Sequence, residues 1–230
     1  MGQTKKWNTV LILSLLFAAC FSLLAFDIDG PAIHYFDSQM IALVQGWEVP
    51  VLTLVMKGFT FLGSTEFIVG VAIAVLIYLF AVKKDMRACM FAVAALGGCA
   101  LLNKILKHSF IRERPELHRL IEETGFSFPS GHSMNSLALY GMIVFLLFRY
   151  IHRPLWRGII LLVSAGTVLA IGTSRIYLGV HYPSDVLGGY LASGFWLLLT
   201  VWFILRDRGT RPALSGPHSS EGRTSPGTAN

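Results

Sequence analysis

Six apolar stretches, at about residues 10–26, 66–82, 88–106, 134–150, 158–173 and 186–205, occupy most of this chain and constrain its fold more than any other feature. At 1.5 Å of rise per residue, helices of such lengths cross a hydrocarbon layer about 30 Å thick. Lipid offers the backbone no hydrogen-bond partners, so each stretch must satisfy its own amides and carbonyls, as a helix does. The composition agrees: 14% of residues are charged, against roughly 25% in a soluble domain. The expected fold is therefore all-α, a polytopic bundle of six transmembrane helices forming one membrane-embedded domain over residues 1–208.

The connections add detail. Residues 27–65 form the longest and contain a shorter apolar run, 49–61, interrupted by Lys57 and closed by Gly63. That length suits an interfacial or re-entrant helix between the first and second spans. Lys5 and Lys6 before an apolar run also suit a cleaved signal ending in "FAAC" at Cys20, but apolar sequence continues to Phe26, which favours an uncleaved span. Cys20, Cys89 and Cys99 all fall in apolar stretches and read as small buried hydrophobes. From Gly209 the sequence "GTRPALSGPHSSEGRTSPGTAN" has almost nothing to bury, so residues 209–230 are expected to be a disordered tail.

Orientation follows from the basic residues. Lys5 and Lys6, then Lys83, Lys84 and Arg87, then Arg149, Arg153 and Arg157, then Arg206, Arg208 and Arg211 occupy alternate connections. Cytoplasmic loops carry such an excess, which places both termini in the cytoplasm. These clusters also account for most of the formal charge of +6, and nothing suggests a nucleic-acid partner. One outward connection breaks the pattern: residues 104–119 hold Lys104, Lys107, Arg112, Arg114 and Arg119. A solvated, mixed-charge loop accounts for Arg112 and Arg119, whereas Lys107 and Arg114 have company.

His132 opens the fourth stretch within "FPSGHS", and two crossings later Arg175 returns to the same face. His181 and Asp185 follow in the next outward connection, so Lys107, Arg114, His132, Arg175, His181 and Asp185 share one end of the bundle. Three permanent cations would repel a divalent metal, but they suit an oxyanion: Arg presents a fork matching phosphate oxygens and Lys a point charge. In "PSGH", Gly131 permits a tight turn, Ser130 can cap the following helix, and the unpaired amides of that helix start attract an anion. Read alone, these four residues fit a simple turn and N-cap before a transmembrane helix better than an anion cradle, and only their neighbours reverse the balance. His181 and Asp185 are four apart with Pro183 between them. A hydrogen bond between them would leave the second imidazole nitrogen free to attack phosphorus. The blander reading is an interfacial histidine and a helix-starting aspartate.

In order, Lys107-x6-Arg114-Pro115, Pro129-Ser130-Gly131-His132 and Ser174-Arg175-x5-His181-x3-Asp185 resemble the three-part signature of the type 2 phosphatidic acid phosphatase superfamily. The six-span pattern resembles its membrane branch over about residues 8–206. The resemblance implies that His181 is the nucleophile forming a phosphohistidine, that Asp185 orients it, and that His132 is the general acid and then base. Lys107, Arg114, Ser130, Gly131 and Arg175 would bind the phosphate, with no metal and no cofactor. The implied partners are the lipid bilayer and a phosphorylated membrane lipid, phosphatidylglycerol phosphate or phosphatidic acid. Undecaprenyl diphosphate is the alternative substrate. A non-catalytic lipid-phosphate binder or transporter should have lost one of His132, His181 and Asp185, and all three are present. The compact chain is similar to bacterial members, which implies a bacterial cytoplasmic membrane with the site on its extracytoplasmic face.

Overall fold

A computed structural model describes residues 2–116 and 118–210 and shows eight helices among them. These are α1 (Gly2–Phe26), α2 (Pro31–Gln45), α3 (Pro50–Leu62), α4 (Thr65–Ile77), α5 (Met86–Phe110), α6 (Gly131–Leu147), α7 (Pro154–Tyr177) and α8 (Pro183–Thr210), with a π-helical turn, Tyr78–Val82, continuing α4. Helix starts follow local chemistry. Ser64 accepts from Phe67 N at 3.2 Å to cap α4, Asp85 accepts from Ala88 N at 3.0 Å to cap α5, and Pro31, Pro50 and Pro154 open α2, α3 and α7.

All six expected spans are helices. Five (α1, α4 with its turn, α5, α7 and α8) are long and apolar enough to cross a membrane, while α6 is apolar but only 17 residues long. It begins at Gly131, in the PSGH turn and ahead of the apolar stretch, and is short because it ends at Leu147, before that stretch does. Helix α6 is the centre of the bundle, packed by α4, α5, α7 and α8, and Met134, Leu139 and Met142 are wholly buried.

The connection between the first two spans differs from expectation. The run at 49–61 does form a helix, α3, but a second helix, α2, precedes it, and the two are bent by 120°. Helix α2 escaped the hydropathy reading because His34, Asp37 and Ser38 interrupt its apolar positions. It packs on α7 and α8, and Asp37 is buried there. Helix α8 runs to Thr210, and residues 211–230 of the expected tail lie outside the described residues.

The apolar outer surface, including Leu16, Leu23, Leu162 and Val163, is what a bilayer solvates. Inside, small residues bring helix backbones together. A Cβ on Gly189 of α8 would stand 2.8 Å from Ser130 O and 2.9 Å from Ser133 Cβ, so α8 meets the start of α6 only because this residue is glycine. Gly189→Ala is expected to cost about 1–3 kcal/mol through overpacking. Gly166→Ala, where a Cβ meets nothing within 4 Å, should be neutral or slightly stabilising. Thermal unfolding of the two variants in detergent checks the contrast.

Candidate active site

The turn from α7 into α8 builds the centre. Gly179 holds a left-handed φ of +73°, which lets the chain reverse and present His181. Asp185 sits in the first turn of α8 and accepts from Tyr182 N at 2.8 Å through Oδ2, in the manner of a capping box. The same oxygen lies 3.3 Å from His181 Nδ1, so Pro183 does not keep the pair apart. Both side chains are buried, at 1% and 0% exposure.

The partners fix the imidazole's proton. Arg114 Nη1 lies 3.1 Å from His181 Nε2, and a guanidinium can only donate. Nε2 is therefore the bare nitrogen, and Nδ1 carries its hydrogen toward Asp185. Burial, then the charges of Arg175, Arg114, Lys107 and His132, hold the His181 pKa well below the usual histidine value. The ring is thus neutral and nucleophilic around neutrality. The same shift has a stability consequence. Below pH about 6.5 the unfolded chain takes up a proton at His181 that the folded chain refuses, so acid should destabilise the protein. The fall in Tm between pH 7 and pH 5 should be shallower in His181→Gln.

The cations converge from three other elements. Arg114, in the α5–α6 connection, donates to the carbonyls of Val180, Gly125 and Thr124 at 2.9, 2.9 and 3.0 Å, which locks its fork against His181. Lys107, in the last turn of α5, donates to Phe126 O at 2.8 Å. Arg175, in the last turn of α7 and 1% exposed, donates through Nη1 to Thr60 Oγ1 at 2.6 Å and through Nη2 to Glu123. Its buried Nε has no partner among the described residues. An unpaired buried donor costs about 1–3 kcal/mol, so an anion accepting from it is favoured.

The PSGH turn closes the cradle. Ser130 N donates to Asp185 O at 3.0 Å, pinning the turn to α8, and Ser130 Oγ caps α6 by accepting from Ser133 N at 3.4 Å. The turn is entered through a cis Phe128–Pro129 peptide. Gly131 is crowded by α5, where Asn103 Oδ1 would lie 3.3 Å from a Cβ. His132, the second residue of α6, packs against the α3–α4 turn, 3.4 Å from where a Gly63 Cβ would stand. It lies within electrostatic reach of Arg175, Glu123, Lys107 and Arg114. All eight site residues expected from sequence therefore gather at one end of the bundle. Among the described residues, no three His, Cys, Asp or Glu side chains group so as to hold a metal ion.

Four further residues belong to this constellation. Arg112 was expected in a solvated loop, yet it is buried and ion-paired to Asp185 Oδ1 at 2.7 Å and Asp37 Oδ2 at 3.0 Å. Its signal was available, because it is a cation in the same connection as Lys107 and Arg114. Ser127 Oγ donates to Asp185 Oδ2, and Asp37 reaches the site from α2; neither carries a sequence mark. Glu123 pairs with Arg175 and stands 3.9 Å from Arg114 Nη2. Burial pushes its carboxyl up, but Arg175 and Arg114 outweigh this and hold it below the usual range, so it is ionised and competes for the oxyanion donors. Glu123→Gln is therefore expected to strengthen inhibition by inorganic phosphate several-fold, measured as a lower Ki; an unchanged Ki would show that Glu123 leaves the cradle without cost.

A helical bundle with buried cations around a neutral, buried histidine fits the architecture of a membrane phosphatase. Residues 88–208 match the PAP2 superfamily, and the chain belongs to that family. It is 33% identical over 173 residues to phosphatidylglycerophosphatase B of Bacillus subtilis (strain 168), covering 74% of this chain and 84% of that one. The crystal structure of a transmembrane PAP2-type phosphatidylglycerolphosphate phosphatase from Bacillus subtilis superposes with a TM-score of 0.78 at 30% identity, covering 86% of this chain and 98% of the other. A putative undecaprenyl-diphosphatase, YbjG of Escherichia coli (strain K12), is 33% identical over 132 residues, 52% of this chain and 59% of its own.

Proposed function

We propose that this protein is a metal-independent phosphatase that hydrolyses a phosphorylated membrane lipid through a covalent phosphohistidine at His181. The observation that carries this reading is the imidazole itself: Nδ1 is directed at Asp185, and bare Nε2 faces Arg114, 3.1 Å away. An arriving phosphoryl group takes over the donors of Arg114, Arg175 and Lys107, together with the start of α6, and releases Nε2 for attack.

Nε2 bonds to phosphorus as the bond from phosphorus to the lipid oxygen breaks, and His132, which takes up a proton from solvent once the phosphoryl anion offsets the charges of Arg175, Lys107 and Arg114 around it, gives that oxygen the proton. His132, now neutral, takes a proton from water, the hydroxide attacks phosphorus, and the P–N bond breaks to release phosphate. Asp185 stabilises the charge on His181 while phosphorus is attached. Ser130 and Gly131 shape the turn that faces the phosphate.

The first relative's substrate class, a phosphatidylglycerophosphate, is the proposed one, with phosphatidic acid beside it. Similarity to a putative undecaprenyl-diphosphatase supports a lipid diphosphate as the second reading. The distribution of basic loops supports a bacterial cytoplasmic membrane location with both termini inside and the site outside. The test is phosphate release by the purified protein in EDTA, with phosphatidylglycerol phosphate, phosphatidic acid and undecaprenyl diphosphate in parallel. Release that survives EDTA and is fastest on a glycerophospholipid is expected; loss of release in EDTA, restored by a divalent cation, would overturn the metal-independent chemistry.

A further inference from the structure

Attached to the His181–Asp185 pair through Asp185 Oδ1 is a closed ring of buried polar groups. Asp37 of α2 accepts from Ser184 N at 2.8 Å through Oδ1, and from Ser184 Oγ at 2.6 Å and Arg112 Nη2 at 3.0 Å through Oδ2. Arg112 Nη1 donates to Ser184 Oγ at 2.8 Å and to Asp185 Oδ1 at 2.7 Å, closing the ring. The guanidinium lies over the Tyr182 ring, 4.3 Å from its centroid. Asp37, Ser184 and Asp185 are at 2% exposure or less. Burial disfavours the charge on Arg112, but Asp185 and Asp37 outweigh it and push its pKa up, so the guanidinium is permanently charged. Asp37 lies outside the residues that match the family, 88–208, in the helix that hydropathy did not reveal.

We infer that Asp37 and Arg112 are a positioning pair for the nucleophile, acting through Asp185. Arg112 holds Asp185 Oδ1, which leaves Oδ2 directed at His181 Nδ1; Asp37 holds both Arg112 and the Ser184 amide at the start of α8. The pair supplies one positive charge between two buried carboxylates; without it Asp185 Oδ1 loses its guanidinium partner and the carboxylate is held through Oδ2 alone, by Tyr182 N and Ser127 Oγ, which loosens its aim at the imidazole. Misplacement of a reacting group by about 1 Å costs on the order of 100-fold in rate, so small rotations here are felt in turnover. The α2–α3 segment thereby completes the active site rather than merely covering it. This inference rests on the reading of His181 as nucleophile and Asp185 as its orienting partner.

The test compares Asp37→Asn, Ser184→Ala, Asp185→Asn, the double variant of positions 37 and 185, and His181→Gln in the full-length protein. An asparagine at 37 presents its amide either to Arg112 or to the Ser184 amide, so one bond of the ring is lost in either orientation. Expected for Asp37→Asn is a fall in kcat of roughly 10-fold, with KM and the Ki of inorganic phosphate within about twofold of the parent. Ser184→Ala should show the same pattern at smaller amplitude, and it stands in if Asp37→Asn does not fold. On the Asp185→Asn background, Asp37→Asn should remove nothing more, because its route to the nucleophile is gone. A parental kcat in both Asp37→Asn and Ser184→Ala overturns the inference. So does a loss that multiplies with that of Asp185→Asn, or one in which KM and Ki rise alongside the fall in kcat. If His181→Gln itself retains turnover, the underlying phosphohistidine reading fails; if it is inactive while the ring variants are not, only the positioning pair fails.

Discussion

Replacing His181 by glutamine is expected to lower phosphate release by at least about 1,000-fold while leaving the protein folded. Glutamine preserves the bonds that matter to structure: its amide oxygen can accept from Arg114 and its NH2 can donate to Asp185. What it lacks is a nucleophilic lone pair, and in the imidazole that lone pair is on Nε2, where the fork of Arg114 defines it. Phosphate binding, by contrast, should persist, because Lys107, Arg114 and Arg175 are untouched. Lost turnover with retained phosphate affinity is therefore the expected signature, read from steady-state kinetics and from phosphate-dependent thermal shifts. His132→Gln should cost about 100- to 10,000-fold on a phosphomonoester. Its first step should suffer less on a lipid diphosphate, whose leaving group is a weaker base and needs less help from an acid.

Arg175→Lys is the second large effect, a loss of about 100- to 1,000-fold in kcat despite the retained charge. The guanidinium is buried at the end of α7, with one nitrogen on Thr60, one on Glu123 and Nε unpaired. An ammonium has no planar fork and cannot offer donors in three fixed directions. Paired with Glu123, it would have no second arm of a planar fork for the incoming phosphoryl group. Arg175→Ala should be worse, because it also leaves the ionised Glu123 beside the site without its chief partner, repelling the substrate. Comparing the two variants for kcat and for the Ki of phosphate separates lost geometry from lost charge. Equal kcat in Arg175→Lys and the parent would remove Arg175 from the transition-state contacts.

Much of this was legible in the chain because lipid imposes simple rules. Uninterrupted apolar runs mark spans, and α1, α4, α5, α7 and α8 follow them. Helix α6 starts ahead of its apolar stretch, at Gly131 after the Ser130 cap, and is shorter than a full span because it ends at Leu147. Helix α2 was invisible because His34, Asp37 and Ser38 break up its apolar positions, and the one residue it buries against α7 and α8, Asp37, is polar. The cradle residues announced themselves as cations in a connection that alternates with the other basic loops, and by the spacing of three blocks. Arg112 bore the first of these marks, but the partners that give it meaning come from distant parts of the chain. Asp37 and Ser184 meet across a sequence separation of 147. No local pattern encodes such a pairing; only the docking of α2 onto the start of α8 creates it. Glu123 was hidden among neighbouring acids, and its place on Arg175 is a property of the folded loop.

The central claim is a covalent bond between phosphorus and His181 Nε2, and the direct measurement is rapid-quench labelling. The purified protein is mixed with lipid carrying 32P in the scissile phosphate, stopped in alkali within milliseconds, digested and mapped. Expected is an acid-labile, alkali-stable label on the peptide containing His181, appearing before free phosphate, chased by unlabelled lipid and absent in His181→Gln. Turnover at the full rate with no protein-bound label, or label on any other residue, would contradict it.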